Sequence, residues 1–155
     1  MSAMDFGELA VMSISRIAFG CDHAGVALKN ALIDAARQRS IDVEDFGTNQ
    51  DESVDYPDFA QAVARAVSDG EADRGVLVCG SGIGMSIAAN RFTGIRAALC
   101  CDTEMAALCR QHNDANILVL GARLTDAGVA KECFDAFLDT EFEGGRHARR
   151  VGKMG

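Results

Sequence analysis

No stretch of this chain approaches the roughly 18 consecutive apolar residues that a bilayer-crossing helix requires. Nor does the N-terminus carry a basic stretch followed by an apolar one. Those two absences exclude an ordinary membrane span and a secretory leader, so a soluble, cytoplasmic protein is expected. Cysteine occurs six times, but no two are spaced C-x-x-C. Neither a metal cluster nor a disulfide framework is therefore expected, and four of the six fall in apolar segments and read as small core residues. Basic residues are in deficit, 15 against 23 acids, for a net charge of -8. Nucleic acid and anionic membrane are thereby disfavoured as main partners.

What is present is an ordinary globular composition, 48% apolar and 25% charged over 155 residues. At roughly 150 residues per domain that length gives one domain with a real core. A chain disordered as a whole and a disulfide-dependent mini-protein are both excluded. Residues 1–13 show no period and contain Met4 and Met12; they are expected to be either an N-terminal extension without fixed structure or the product of an early start codon, ahead of a single domain over 14–155. Charge is unevenly spread. Acids are absent after Glu143, where Arg146, His147, Arg149, Arg150 and Lys153 crowd together, and the reverse holds between Asp42 and Asp58. The basic cluster is either a site for a small anion or a solvated tail.

From Arg16 the chain alternates between two periods. Ile17–Phe19, Ile41–Phe46, Gly75–Cys79, Ile95–Cys100 and Ile117–Leu120 read as strands, most of them ended by glycine. Between them, Leu28, Ala31, Leu32 and Ala35 recur at helical spacing, as do Phe59, Val63, Ala66 and Val67 behind Pro57. Met105, Leu108, Cys109 and His112 follow the same rule behind a cap at Asp102 or Thr103, and Val129, Cys133, Ala136 and Phe137 behind Thr125. Five βα units with short connections make an α/β protein with a parallel sheet and helices on both faces. Ligands of such sheets lie beyond the carboxyl ends of the strands.

The residues expected on that rim are Cys21-Asp22-His23, Asp55-Tyr56-Pro57, Cys79 to Gly84, Gln111-His112-Asn113 and Gly121-Ala122-Arg123. Gly80-Ser81-Gly82-Ile83-Gly84 is either a backbone nest for an oxyanion or phosphate, or a tight strand-to-helix turn. It is not the dinucleotide fingerprint, whose third glycine would fall on Met85, and no G-x-x-x-x-G-K-[ST] occurs. Cys79 is either a thiolate nucleophile or base beside a helix N-terminus, or a buried strand end. His112 with Asn113 offers donor and acceptor capacity, or is an ordinary structural pair. Arg146 and Arg150, four apart, would share one helical face and suit a phosphate, or would form an exposed basic helix. Asp22-His23 can be no more than a helix cap with its neighbour, and Tyr56 a core aromatic. Convergence on one rim is the stronger argument.

Gly20-Cys21-Asp22-His23-Ala24-Gly25, Asp55-Tyr56-Pro57, Cys79-Gly80-Ser81-Gly82-Ile83-Gly84, Ile87-Ala88-Ala89-Asn90, Arg110-Gln111-His112-Asn113 and Gly144-Gly145-Arg146-His147 together resemble the type B ribose-5-phosphate isomerases. That family includes galactose-6-phosphate and allose-6-phosphate isomerases, and the match runs in order from about Arg16 to Val151. The resemblance implies a three-layer αβα sandwich around a five-stranded parallel sheet, Rossmann-like in outline. It also implies a homodimer with active sites shared across the interface, further pairing of dimers being left open. The implied chemistry interconverts an aldose phosphate and its ketose without metal or other cofactor.

By position, Cys79 matches the family's catalytic base, His112 the residue that assists ring opening, and Ser81 a neighbour of both. Gly80, Gly84 and Asn113 match the groups that hold the enediolate oxygen. His23, Arg123, Arg146 and Arg150 match phosphate ligands, some supplied by the partner subunit. Asp22 matches a contact to sugar hydroxyls, and Tyr56 lies in a substrate-binding segment. In some members the base is a glutamate in the glycine loop. Met85 stands in that stretch here, which leaves Cys79 for the role. Family members commonly continue into a further C-terminal helix, so a shorter arm behind Arg146 and Arg150 is expected.

A base for a weakly acidic proton, donors for the oxyanion and a remote phosphate handle are what enediolate chemistry needs. The sequence therefore points to ribose 5-phosphate and ribulose 5-phosphate. Allose 6-phosphate, galactose 6-phosphate or a tetrulose phosphate would use the same motifs. A non-catalytic sugar-phosphate sensor would keep the arginines without needing Cys79 and His112. The missing third glycine disfavours a nucleotide-binding module.

Overall fold

The computed structural model describes residues 13–155. All but the last of residues 1–13, expected to be an unstructured extension, lie outside the described residues. Strands β1 (Arg16–Cys21), β2 (Asp42–Asp45), β3 (Arg74–Cys79), β4 (Ala97–Leu99) and β5 (Ile117–Gly121) alternate with helices. The helices are α1 (Val26–Gln38), α2 (Tyr56–Ser68), α3 (Ile83–Ala89), α4 (Thr103–Gln111), α5 (Ala127–Asp139) and α6 (Arg146–Gly152). The strands form one parallel sheet in the order β2-β1-β3-β5-β4.

Right-handed crossovers put connections that lead opposite ways along a sheet on opposite faces. The helices obey this. α1 and α4 lead one way and pack with α5 on the face that carries Ile17, Phe19, Val76, Val78, Leu118 and Leu120. α2 and α3 lead the other way and cover Ala18, Leu77, Cys79, Ile117 and Val119. Strand side chains alternate between faces, so both layers are apolar and the central strands are buried after the arginines, Arg16 and Arg74, that open β1 and β3. The result is the expected αβα sandwich.

Several boundaries move, each for a packing reason. Gly20 does not end β1. The strand runs on to Cys21, and Gly20 is the point where α2 presses on the sheet, since a Cβ there would meet Val63 Cγ2 at 2.9 Å. In α1 the inward face is Lys29, Leu32, Ile33 and Ala36, and Ala31 points outward. α4 buries Ala106, Cys109 and Arg110, while Met105 and Leu108 are exposed. Asp102 is its cap, with its carboxylate accepting from the Met105 N–H at 2.8 Å.

Lys29 is a fully buried ammonium that no apolar pattern could reveal. It bonds Asp45 at 2.8 Å, the Thr48 carbonyl at 3.0 Å and Asn49 Oδ1 at 2.8 Å. With its charge paired and all three protons directed at acceptors, it ties the loop after β2 to α1. The same loop bonds the end of β1, with the Cys21 N–H donating to the Gly47 carbonyl and the Thr48 N–H to the Cys21 carbonyl.

Candidate active site

At β1 the chain departs toward one face of the sheet and at β3 toward the other. The carboxyl ends of these neighbouring strands therefore open a crevice, the place where such sheets hold ligands. A cavity of about 580 Å³ occupies it, lined by Asp22, Tyr56, Cys79, Gly80, Ser81 and Gly84, with Arg123 at its side. Exposed Ile83, Ile87 and Leu124 form its lip, at 53%, 62% and 71% accessibility.

Glycines build the floor by allowing backbones to touch. Gly82 sits at φ +79°, where L side chains are strained, and a Cβ would come within 2.5 Å of Leu99. Gly84 faces the Tyr56 ring, which a Cβ would meet at 2.4 Å. The turn after β5 is zipped to the glycine loop. Ala122 N–H donates to the Cys79 carbonyl at 2.8 Å and Arg123 N–H to the Gly80 carbonyl at 3.0 Å. This lays the Arg123 guanidinium across Gly80, where a Cβ would meet Nη1 at 3.2 Å.

Cys79 is 5% exposed and ends β3 at the cavity. The Gly82 N–H donates to its Sγ at 3.1 Å, an amide hydrogen aimed where a thiolate charge would sit. Ser81 Oγ accepts from the Ile83 N–H at 3.2 Å. Asp22 caps the short turn His23–Gly25 by accepting from the Ala24 N–H at 2.9 Å. His23 Nδ1 accepts from the Val54 N–H at 3.2 Å, which places the ring proton on Nε2 and leaves that N–H free to donate. Asp22 is thus a cap, as one reading had it, and it also lines the cavity.

The other cysteines differ. Burial pushes Cys21 and Cys133 up to about 11, keeping them as thiols. Cys101 is the exposed one, and all six are free.

His112, Asn113, Arg146 and Arg150 are not on this rim. α4 runs antiparallel to the strands, beginning at the rim with Asp102 and ending at the opposite edge, just before β5 starts. The pairs Gly75↔Ile117 and Cys79↔Gly121 mark the two edges, about 13 Å apart at 3.3 Å per residue. The expectation that His112 shares the rim with Cys79 in one chain is corrected on that ground. A short loop after a helix closes at the amino edge of a parallel sheet, whichever residues it carries.

At that edge the Asn113 carbonyl accepts from Arg96 Nε at 2.9 Å. Asp114, at φ +47°, receives Arg110 Nη1 at 2.8 Å. These contacts fix the loop. His112 stacks on His147 at 4.3 Å between ring centroids, and Glu143 stands beside both. Burial, then the neighbouring His112 and Arg146, hold His147 below the ordinary histidine range. Arg146 and Arg150 lie exposed on α6, the helix their spacing suggested.

The model of the family Ribose/Galactose Isomerase matches residues 17–154. The chain belongs to that family. Ribose-5-phosphate isomerase B of Escherichia coli (strain K12) is 49% identical over 138 residues, covering 89% of this chain and 93% of the relative. The solved ribose-5-phosphate isomerase B of Clostridium thermocellum superposes with a TM-score of 0.89 at 53% identity, over 90% of this chain and 95% of that one. D-erythrulose-4-phosphate isomerase of Pectobacterium atrosepticum is 46% identical over 140 residues, 90% of this chain and 92% of the relative. The protein is an isomerase of the ribose/galactose isomerase fold, as the motif set implied.

Sequence reasoning missed the cavity lip, Lys29, and the grouping of Glu143 with the two histidines. Only the i, i+4 spacing of Glu143 and His147 was there to be read.

Proposed function

We propose that this isomerase interconverts ribose 5-phosphate and ribulose 5-phosphate through an enediolate, in a single domain over 14–155 that works as a homodimer. The observation that carries the reading is Cys79 Sγ in the crevice, beside the glycine loop and with an amide hydrogen directed at it. Cys79 takes the proton from carbon 2 of the open-chain aldose and returns it to carbon 1. The charge that builds on the carbonyl oxygen meets the amides of Gly80 and Gly84, preorganised by the zipped turns. Ser81 and Asp22 hold hydroxyls, and Tyr56 walls the sugar. His23 Nε2–H and Arg123 take the phosphate, whose binding energy sets carbons 1 and 2 at the sulfur.

A second copy supplies what this rim lacks. Ring opening needs a proton acceptor and donor, which the partner's His112 provides. The partner's Asn113 adds a donor to the enediolate oxygen, and the partner's Arg146 and Arg150 close on the phosphate. Two features support the dimer. The apolar lip of Ile83, Ile87 and Leu124 and the outward Met105 and Leu108 need a covering surface, and a two-fold interface pairs unlike patches reciprocally. None of these steps calls on a metal. Substrate and relatives favour a place in the pentose phosphate pathway. Among the described residues no helix is long and apolar enough to cross a membrane, and we assign the protein to the cytoplasm.

The test is turnover by the purified protein of ribose 5-phosphate, allose 6-phosphate, galactose 6-phosphate and erythrulose 4-phosphate, each with chelator. Preference for the pentose supports the assignment. Preference for another sugar keeps the mechanism and changes the substrate, and binding without turnover of any would make the protein a sensor.

A further inference from the structure

We propose that His112, Glu143 and His147 form a site for a zinc-class divalent cation, and that a cation held there switches the isomerase off. Three separate pieces of chain bring the ligands together: the C-cap of α4, the connection after α5 and the first turn of α6. The Glu143 carboxylate oxygens lie 4.0 Å from His112 Nε2 and 3.9 Å from His147 Nε2, and all three ligand atoms fall within 4.8 Å of one another.

These separations are too long for hydrogen bonds and slightly too long for ligands on one ion. Zinc bonds of about 2.0–2.2 Å at tetrahedral angles set ligand atoms about 3.3–3.5 Å apart. Closing the gap takes about half an ångström on the carboxylate side, and more than an ångström wherever a separation reaches the 4.8 Å limit. The stacked rings, 11° from parallel, must also splay so that both Nε2 lone pairs converge. The backbone needs no change. His112 N–H is bonded to the Leu108 carbonyl, Glu143 N–H to the Gln111 carbonyl and His147 N–H to the Gly144 carbonyl. Only side-chain torsions turn.

Two imidazoles and a carboxylate suit zinc, cobalt or nickel, whereas magnesium and calcium take oxygen ligands. Three protein ligands leave a fourth position for water, as in open rather than closed structural sites. His112 and Glu143 are 41% and 48% exposed, so the ion can enter and leave. The regulatory consequence rests on the proposed dimer. The lone pair with which His112 serves the partner's sugar ring is the one the ion takes, and a metallated imidazole accepts no proton.

Calorimetric titration of the full chain with ZnCl₂ is the test, with Co²⁺ as a coloured probe. One Zn²⁺ per chain is expected in the wild type and in Cys79→Ser. Glu143→Gln and His147→Asn should each weaken binding at least tenfold. The Co²⁺ form should absorb in the visible without a thiolate charge-transfer band. Zn²⁺ should stop wild-type turnover, chelator should restore it, and Glu143→Gln should stay active in Zn²⁺. Binding lost in Cys79→Ser, a thiolate band, or full affinity in both Glu143→Gln and His147→Asn would overturn the site. Zinc bound as expected with turnover unaffected would overturn the switch alone. A zinc-binding protein inactive on every sugar phosphate even in chelator would instead count against the proposed function.

Discussion

The two edges of the sheet are built on different principles. At the carboxyl edge the proposed functional groups are mainly backbone amides and one thiol, locked by contacts so close that only glycine fits at Gly82 and Gly84. At the amino edge they are long or ring side chains, the half-exposed His112 at the end of α4 and the exposed Arg146 and Arg150 on a short helix. The first edge is preorganised before substrate arrives, as oxyanion stabilisation requires. The second gains its order from whatever it meets. In the proposed dimer each crevice receives one edge from each copy, a rigid half for the proton transfer and an adaptable half for the phosphate and ring.

That contrast can be broken at several points. The largest effect belongs to Cys79→Ala, which should lower turnover about 10³-fold or more, near 4 kcal/mol of barrier, with substrate still binding. A rate within tenfold of wild type would move the base elsewhere. Next comes Asp45→Ala, which strands the buried Lys29 charge at the carboxyl edge. It should cost about 3 kcal/mol of stability in denaturant unfolding; a midpoint unmoved would mean that Lys29 finds water or another partner. Arg146→Ala, at the exposed edge, should leave the unfolding midpoint alone and raise KM about tenfold at unchanged kcat. A change in stability instead would make that edge structural.

The smallest effect separates the thiols. Alkylation at pH 8 should label Cys101 whether or not substrate is present, and Cys79 only without it. Cys21 and Cys133, buried and pushed up to about 11, should stay unlabelled until the protein unfolds. Inactivation at equal rates with and without substrate would place the sensitive cysteine outside the crevice.

The same contrast explains what could be read from the chain. Strand and helix periods followed burial, so the layers and the crevice between β1 and β3 were legible. The contiguous run Cys79 to Gly84 carried its own geometry, because one strand end and one helix start fix every residue in it. His112 was marked as a candidate by family resemblance, but its place in the fold was not legible. Its position depends on the direction of α4, which runs away from the rim. Lys29 was hidden because its partners, Asp45 and Asn49, come from another element, and periodicity treats a lysine as an outward residue. Met105 and Leu108 read as core because a helix with two apolar faces gives one undivided signal.

The claim at the centre of this account is that each active site takes Cys79 from one copy and His112 from the other. Mixing the inactive variants Cys79→Ala and His112→Ala under subunit exchange tests it most directly. In a two-fold dimer half of the reassorted pairs are mixed, and each mixed pair regains one intact site of two, so activity should rise to about a quarter of wild type. Activity that stays at the level of the separate variants after proven exchange would contradict the shared site.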